Sequence, residues 1–240
     1  MKTEELAGSN FERALSKNSY PGRGLVIAWS DADTWLILYW IMGRSAHSRN
    51  RRFVVEGNIL RTEPVDQSLV KDPSLIIYDA MLELPGIYLV SNGDQTRTIY
   101  DTLSAGGTIE AALATREREP DPPNYTARIS GMLSFRESAG TPVLSILKAN
   151  PVDPVHTDRY YYRPAMPEPG FGVGLTVYSG DGEPLPSFSG DPLLLPCKGT
   201  ADEVLEKYWQ ALNAENRVAL AVKEITGQGS RSRILVRNRF

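Results

Sequence analysis

The sequence holds one cysteine, Cys197, and two histidines, His47 and His156, in 240 residues. A single thiol excludes an internal disulfide framework and every multi-cysteine zinc site. Two histidines do not make a His-rich metal centre. A basic excess is also missing. The net charge is −3 and the pI near 5.6, so no global positive field draws the chain to nucleic acid. Long apolar runs are absent: the longest, residues 35–42, has eight residues and is too short to span a bilayer. The opening Met1-Lys2-Thr3-Glu4-Glu5 is polar and lacks the core of a signal peptide. A lone thiol without an export signal makes the cytoplasm the expected compartment. No GxxxxGK[ST], HExxH or GxSxG motif occurs, and the glycines at 170, 172 and 174 lack the spacing of a dinucleotide loop.

What remains is a chain 41% hydrophobic and 23% charged. At this length it can bury about 70–75% of its unfolded surface, so its core needs no staples. Residues 1–18 read as a short helix, with Leu6, Phe11, Ala14 and Leu15 near helical spacing and Pro21 ending the run. Strands follow over 25–30 and 34–42, joined by a turn at Asp31-Ala32-Asp33. The second is apolar on both sides, which predicts cover on both faces. Further strands are predicted over 53–60, 75–78 and 86–91. A helix from Asp94 ends at Gly106-Gly107, and Thr108 can cap another running to Arg118. Glu110 lies near that helix's positive end, and Arg116 and Arg118 near its negative end. Glu119-Pro120-Asp121-Pro122-Pro123 is a rigid connector. Strands near 125–136, 143–147, 159–163 and 171–178 come next, then a loop over 179–199 dense in Gly, Pro and Ser. Thr200 caps a helix over 201–214, and strands over 217–225 and 233–236 close the chain.

Helices and strands are thus segregated, which argues α+β with antiparallel sheets. The strands are too many for one sheet, so two stacked sheets with helices outside are expected. Neither side of the proline connector carries a self-sufficient pattern. One domain over 1–240 is expected, with residues 1–19 as a helical extension.

The sharpest local feature is GRSAHSRNRR at 43–52, with four arginines and no acid. Arg44, Arg49, Arg51 and Arg52 stand among Ser45, Ser48 and Asn50, and guanidinium forks with hydroxyl and amide donors suit a phosphate. A solvated, charged turn is the other reading. Ser91-Asn92-Gly93 stands where a strand gives way to a helix, a place for an anion or simply for a cap. Tyr78 closes a predicted strand as a core residue or an acid–base group. Glu119 and Asp121 are paired carboxylates or linker charges. Arg128, inside a predicted strand, needs a carboxylate or phosphate partner.

The ordered set YPGRG (20–24), MGRSAHSRNR (42–51), DPSLIIYD (72–79), SNGDQT (91–96) and NYTARI (124–129) resembles the archaeal-type IMP cyclohydrolases and their bacterial relatives. YSGDGEPLPSF (178–188) is similar to the bacterial branch. The resemblance implies a four-layered αββα fold of the N-terminal-nucleophile hydrolase type. It also implies the last step of purine synthesis, closure of 5-formamidoimidazole-4-carboxamide ribonucleotide to inosine monophosphate (IMP), in a hydrolase that needs no metal or other cofactor. Carried over residue by residue, Arg51 matches the arginine of the family's NR pair and Arg44 the one after the second strand. Tyr78 matches a tyrosine placed to donate or orient a proton, and Glu119 an acid upstream of the TPRI-like segment. Arg23 matches the GR of the first strand, Asn92 the asparagine of SNG, and Arg128 the arginine of TPRI. The expected catalytic set is Tyr78, Arg51 and Glu119. The expected substrate contacts are Arg23, Arg44, Ser45, Asn50, Asn92 and Arg128. The implied partner is a small nucleotide, with no nucleic acid or membrane, and a homo-oligomer is compatible with the family. No Thr, Ser or Cys is placed to become a free N-terminal nucleophile. The alternatives are a purine-nucleotide-binding protein of this fold without turnover, and an amide hydrolase.

Overall fold

In a computed structural model of the chain, the structure describes residues 2–70, 73, 76–136, 140–165, 167–226 and 229–240. The strands in chain order are β1 (Gly24–Trp29), β2 (Trp35–Met42), β3 (Arg52–Glu56), β4 (Ile59–Glu63), β5 (Asp79–Leu84), β6 (Ile87–Ser91) and β7 (Arg128–Ser134). They continue with β8 (Thr141–Ala149), β9 (Thr157–Tyr162), β10 (Phe171–Thr176), β11 (Leu193–Pro196), β12 (Arg217–Thr226) and β13 (Arg231–Asn238). The helices are α1 (Thr3–Phe11), α2 (Ala46–Arg49), α3 (Gln95–Ser104), α4 (Ile109–Ala114) and α5 (Ala201–Ala211).

Two antiparallel sheets result. The first is ordered β11-β10-β1-β2-β12-β13 and the second β3-β4-β5-β6-β7-β8-β9. β2 lies inside the first sheet and is buried at every position, as its two-sided apolar pattern predicts. Helices α1 and α5 pack on the first sheet, and α3, with α4 beside it, on the second. The inner faces meet where β1 packs on β7 and β2 on β6. There Leu25 and Ile27 of β1 come so close to Gly131 of β7 that a Cβ would lie 3.2–3.3 Å from their methyls. The architecture is therefore an α+β layered sandwich, αββα. No helix among the described residues is long and apolar enough to cross a membrane.

Local chemistry accounts for the element ends. Thr108 accepts from the Ala111 N–H, and Thr200 from the Glu203 N–H in a reciprocal capping box, as their sequence positions predict. The first helix ends in a single π turn, Glu12–Ser16. Several boundaries differ from expectation. Residues 53–60 form two strands, because Gly57 (φ +59°) turns the chain at Gly57-Asn58. The strand expected over 75–78 begins instead at Asp79; Leu75 lies outside the described residues, and Tyr78 stands just ahead of β5 with its carbonyl accepting from the Thr62 N–H. The loop at 179–199 contains the short edge strand β11, and the arginine loop the single turn α2. The helix after Thr108 stops at Ala114, four residues short of Arg118, and the strand expected from 125 starts at Arg128.

Candidate active site

The start of β1, the end of β2, the start of β7 and the end of β10 open at one end of the stacked sheets. The turn Tyr20–Gly22, the arginine loop, the proline connector and residues 178–185 gather there around a cavity of about 310 Å³. Gly22 is required in that turn. Its φ is +69°, and a Cβ would sit 2.5 Å from the Tyr178 ring.

An ion pair lies across the seam between the sheets. Arg23, just ahead of β1, places its guanidinium 2.9 Å from both oxygens of Glu119 and donates at 2.9 Å to the Asn92 carbonyl beyond β6. Both side chains are buried. Burial opposes the charge on Arg23, but Glu119 and Tyr78 outweigh it and hold the guanidinium pKa well above its ordinary value. The connector that carries Glu119 is fixed by the Glu119 N–H to Thr126 carbonyl bond, 2.9 Å.

Arg44 stands at the mouth. Its guanidinium lies 5.0 Å from the centroid of the Tyr20 ring, and it donates to Asp181 Oδ1 at 2.6 Å and to the Gly182 carbonyl at 3.2 Å. Arg51 differs from both. Among the described residues it has no ion pair, and its buried Nε has no hydrogen-bond partner. Since Arg23 is matched by Glu119 and Arg44 by Asp181, Arg51 is the cation of the cavity left without compensation. A half-buried guanidinium without a counter-charge accommodates an anion readily.

One wall is phenolic. Tyr20 and Tyr178 stack with centroids 5.9 Å apart. The Tyr178 hydroxyl is 2.6 Å from Thr126 Oγ1, which also bonds Asp121. Burial pushes the Tyr178 phenol up to about 12, against the Thr126 hydrogen bond. Burial also raises the Asp121 carboxyl, with Glu119 adding to it and Thr126 opposing. Tyr78 and Tyr39 share a hydroxyl–hydroxyl bond of 2.6 Å away from the cavity lining. Burial and the neighbouring Tyr78 push Tyr39 well above the ordinary phenol value, against Arg23 and Arg51.

Of the residues expected from sequence, Arg23, Arg44, Ser45, Arg51 and Glu119 line the cavity together. Tyr78, Asn50, Asn92 and Arg128 do not. Asn92 is spent on structure: its Nδ2 donates to the Ala127 carbonyl, and its Oδ1 accepts from the Ile129 N–H and Gln95 Nε2. Arg128 is held by Asp94 and Gln95, both at 2.8 Å. Asn50 pairs reciprocally with the Asp66 backbone at 2.7 Å. Arg49 and Arg52 also leave the site, the first for the Gly43 carbonyl and Asn216, the second for Glu63. Sequence reasoning did not single out Tyr20, Thr126 or Tyr178. All three belong to the motifs YPGRG, NYTARI and YSGDGEPLPSF, so membership in those motifs was the available signal.

Guanidinium forks opposed by phenols and carboxylates, set in the seam of two antiparallel sheets, define a layered α+β protein whose pocket holds an uncompensated cation beside titratable groups. The sequence matches the model of the IMP cyclohydrolase-like protein family over residues 20–229, and the chain belongs to that family. Membership supports a hydrolase-class, purine-related role. No individual curated protein matches the sequence at a significant level.

Proposed function

We propose that the chain is an IMP cyclohydrolase, closing the ring of 5-formamidoimidazole-4-carboxamide ribonucleotide to give IMP and water. The observation that carries this reading is the uncompensated Arg51 in a cavity whose other guanidiniums are paired, within a chain of this family. The carboxamide nitrogen attacks the formyl carbon of the same molecule. One C–N bond forms, the C–O bond breaks, and two hydrogens travel from nitrogen to the departing oxygen. Both reacting groups belong to one substrate, so holding them at near-attack distance supplies much of the acceleration. Arg51 takes the negative charge of the nucleotide, and Arg44 follows at the mouth when Asp181 yields it. Glu119 fixes Arg23, and through it the seam. Tyr78 acts from behind through its hydrogen bond to Tyr39, as an orienting group.

The test is direct. Purified protein mixed with the formamido nucleotide produces IMP, followed by ultraviolet absorbance, and Arg51→Ala needs more substrate to reach the same rate. A protein that leaves the substrate unchanged refutes the proposal. A second reading, nucleotide binding without turnover, draws on the Tyr78 hydroxyl turned toward Tyr39 and not toward the cavity. It predicts IMP binding with no ring closure.

A further inference from the structure

Tyr178, Thr126 and Asp121 form an unbroken chain of hydrogen bonds that begins at the cavity wall. The Tyr178 hydroxyl is 2.6 Å from Thr126 Oγ1, Thr126 Oγ1 bonds Asp121 Oδ2, and Asp121 Oδ1 accepts from the Thr126 N–H at 2.6 Å. All three residues line the cavity. A hydroxyl donates once and accepts at its lone pairs, so the state of Asp121 fixes the direction of the whole chain. With Asp121 ionised, Thr126 donates to it, Tyr178 donates to Thr126, and the Tyr178 oxygen offers lone pairs to the cavity. With Asp121 protonated, the two hydroxyl bonds reverse while the Thr126 N–H still donates to Asp121 Oδ1, and Tyr178 offers its O–H to the cavity. The acceptor end and the donor end of a proton transfer are thus the same atom in two states.

We propose that Tyr178 is a catalytic residue of the ring closure, exchanging a proton with the substrate through Thr126 and Asp121, which act on it as positioning residues; the inference rests on the reaction proposed above. As the carboxamide nitrogen bonds to the formyl carbon, its proton passes to the Tyr178 oxygen. The Tyr178 proton moves to Thr126 and the Thr126 proton to Asp121, and the formyl oxygen becomes an oxyanion beside the arginines. The chain then runs backward and the oxyanion becomes a hydroxyl. The C–O bond breaks, the hydroxyl leaves as water with the proton of the formamide nitrogen, and the C=N bond forms. One proton enters the relay and one leaves it in each turnover, so Asp121 ends as it began. The charged and titratable neighbours are Glu119 and Arg23 against Asp121, and Tyr20, Arg23 and Asp121 against Tyr178.

The test compares the parent with Asp121→Asn, Thr126→Val, Thr126→Ser and Tyr178→Phe. The relay predicts that Asp121→Asn, Thr126→Val and Tyr178→Phe each lower kcat by about 100-fold or more, while the Kd for IMP stays within a few-fold of the parent. Thr126→Ser keeps the hydroxyl and keeps kcat. The parent's kcat falls as pH drops and Asp121 protonates, and this acid limb is missing from Asp121→Asn and Thr126→Val. Melting curves show which variants are folded, and the pair Thr126→Val and Thr126→Ser decides the matter if Asp121→Asn is not. Parent-like kcat and pH profile in Thr126→Val overturn the relay alone, as does a loss of rate that Thr126→Ser shares. A parent that fails to cyclise the substrate overturns the proposed reaction, and the relay with it.

Discussion

Arg23 and Glu119 stand 96 positions apart in the chain and meet as a buried ion pair at 2.9 Å. One precedes a strand of the first sheet, and the other lies in the connector that leads into a strand of the second. The pair therefore fastens the two sheets at the rim of the cavity. Glu119→Gln leaves a buried guanidinium without its counter-charge, which costs about 3–5 kcal/mol. Urea denaturation of the parent and variant measures it, and a loss under 1 kcal/mol would show that the seam does not depend on this pair.

Arg51→Ala is expected to act on affinity with little effect on the fold, because no ion pair among the described residues is lost with it. A charge-assisted hydrogen bond contributes about 1.5–3 kcal/mol, which corresponds to roughly a 10- to 150-fold weaker Kd. Calorimetric titration with IMP reads this out. Equal Kd values for variant and parent would remove Arg51 from the site.

Tyr78→Phe leaves the Tyr39 hydroxyl buried without its 2.6 Å partner. The expected stability loss is about 1–3 kcal/mol, with a strong fall in turnover and an unchanged far-ultraviolet spectrum. Full turnover in this variant would confine Tyr78 to packing.

Gly22→Ala places a methyl 2.5 Å from the Tyr178 ring at φ +69°. The variant should lose about 1–3 kcal/mol and much of its activity, since the ring it displaces is part of the cavity wall. A Tm equal to that of the parent would show that the turn relaxes freely.

Lys223 offers a pH test remote from the site. Its Nζ is buried between Glu83 Oε2, at 2.5 Å, and the Asn58 carbonyl, at 2.9 Å. Burial lowers its pKa below 10.5 despite Glu83. Between the folded value and 10.5 the unfolded chain binds more protons than the folded one, so this lysine makes stability rise with pH across that window. Stability curves of the parent and Lys223→Met, subtracted from each other, should show a slope of that sign in the alkaline range. A flat difference would mean that the pairing with Glu83 cancels the burial.

The layered α+β architecture was legible because segregated patterns and good caps, such as Thr108 and Thr200, are local signals. The hairpin at Gly57 was not, since residues 53–60 alternate well enough to read as one strand. The short β11 was hidden in a stretch whose Gly, Pro and Ser content reads as loop. In the site, the arginine loop stood out by composition alone. Which arginines would turn inward did not: Arg49 is claimed by a carbonyl and an amide from elsewhere in the chain, whereas Arg51 is not. Asn92 and Arg128 carry the right chemistry for a ligand, but tertiary hydrogen bonds consume it. Tyr178 and Thr126 became visible only when the fold brought two separate motifs to one wall.

Asp181 already holds Arg44, so a phosphate arriving at the mouth meets a competitor and not an idle cation. The arginine's net gain is then the difference between two anions. A dianionic guest exchanges the internal carboxylate for a stronger partner. An uncharged nucleoside offers nothing in exchange and leaves residues 181–183 seated. Preference for phosphorylated guests can thus arise from a built-in mimic of the phosphate, with no wall needed to exclude the smaller molecule.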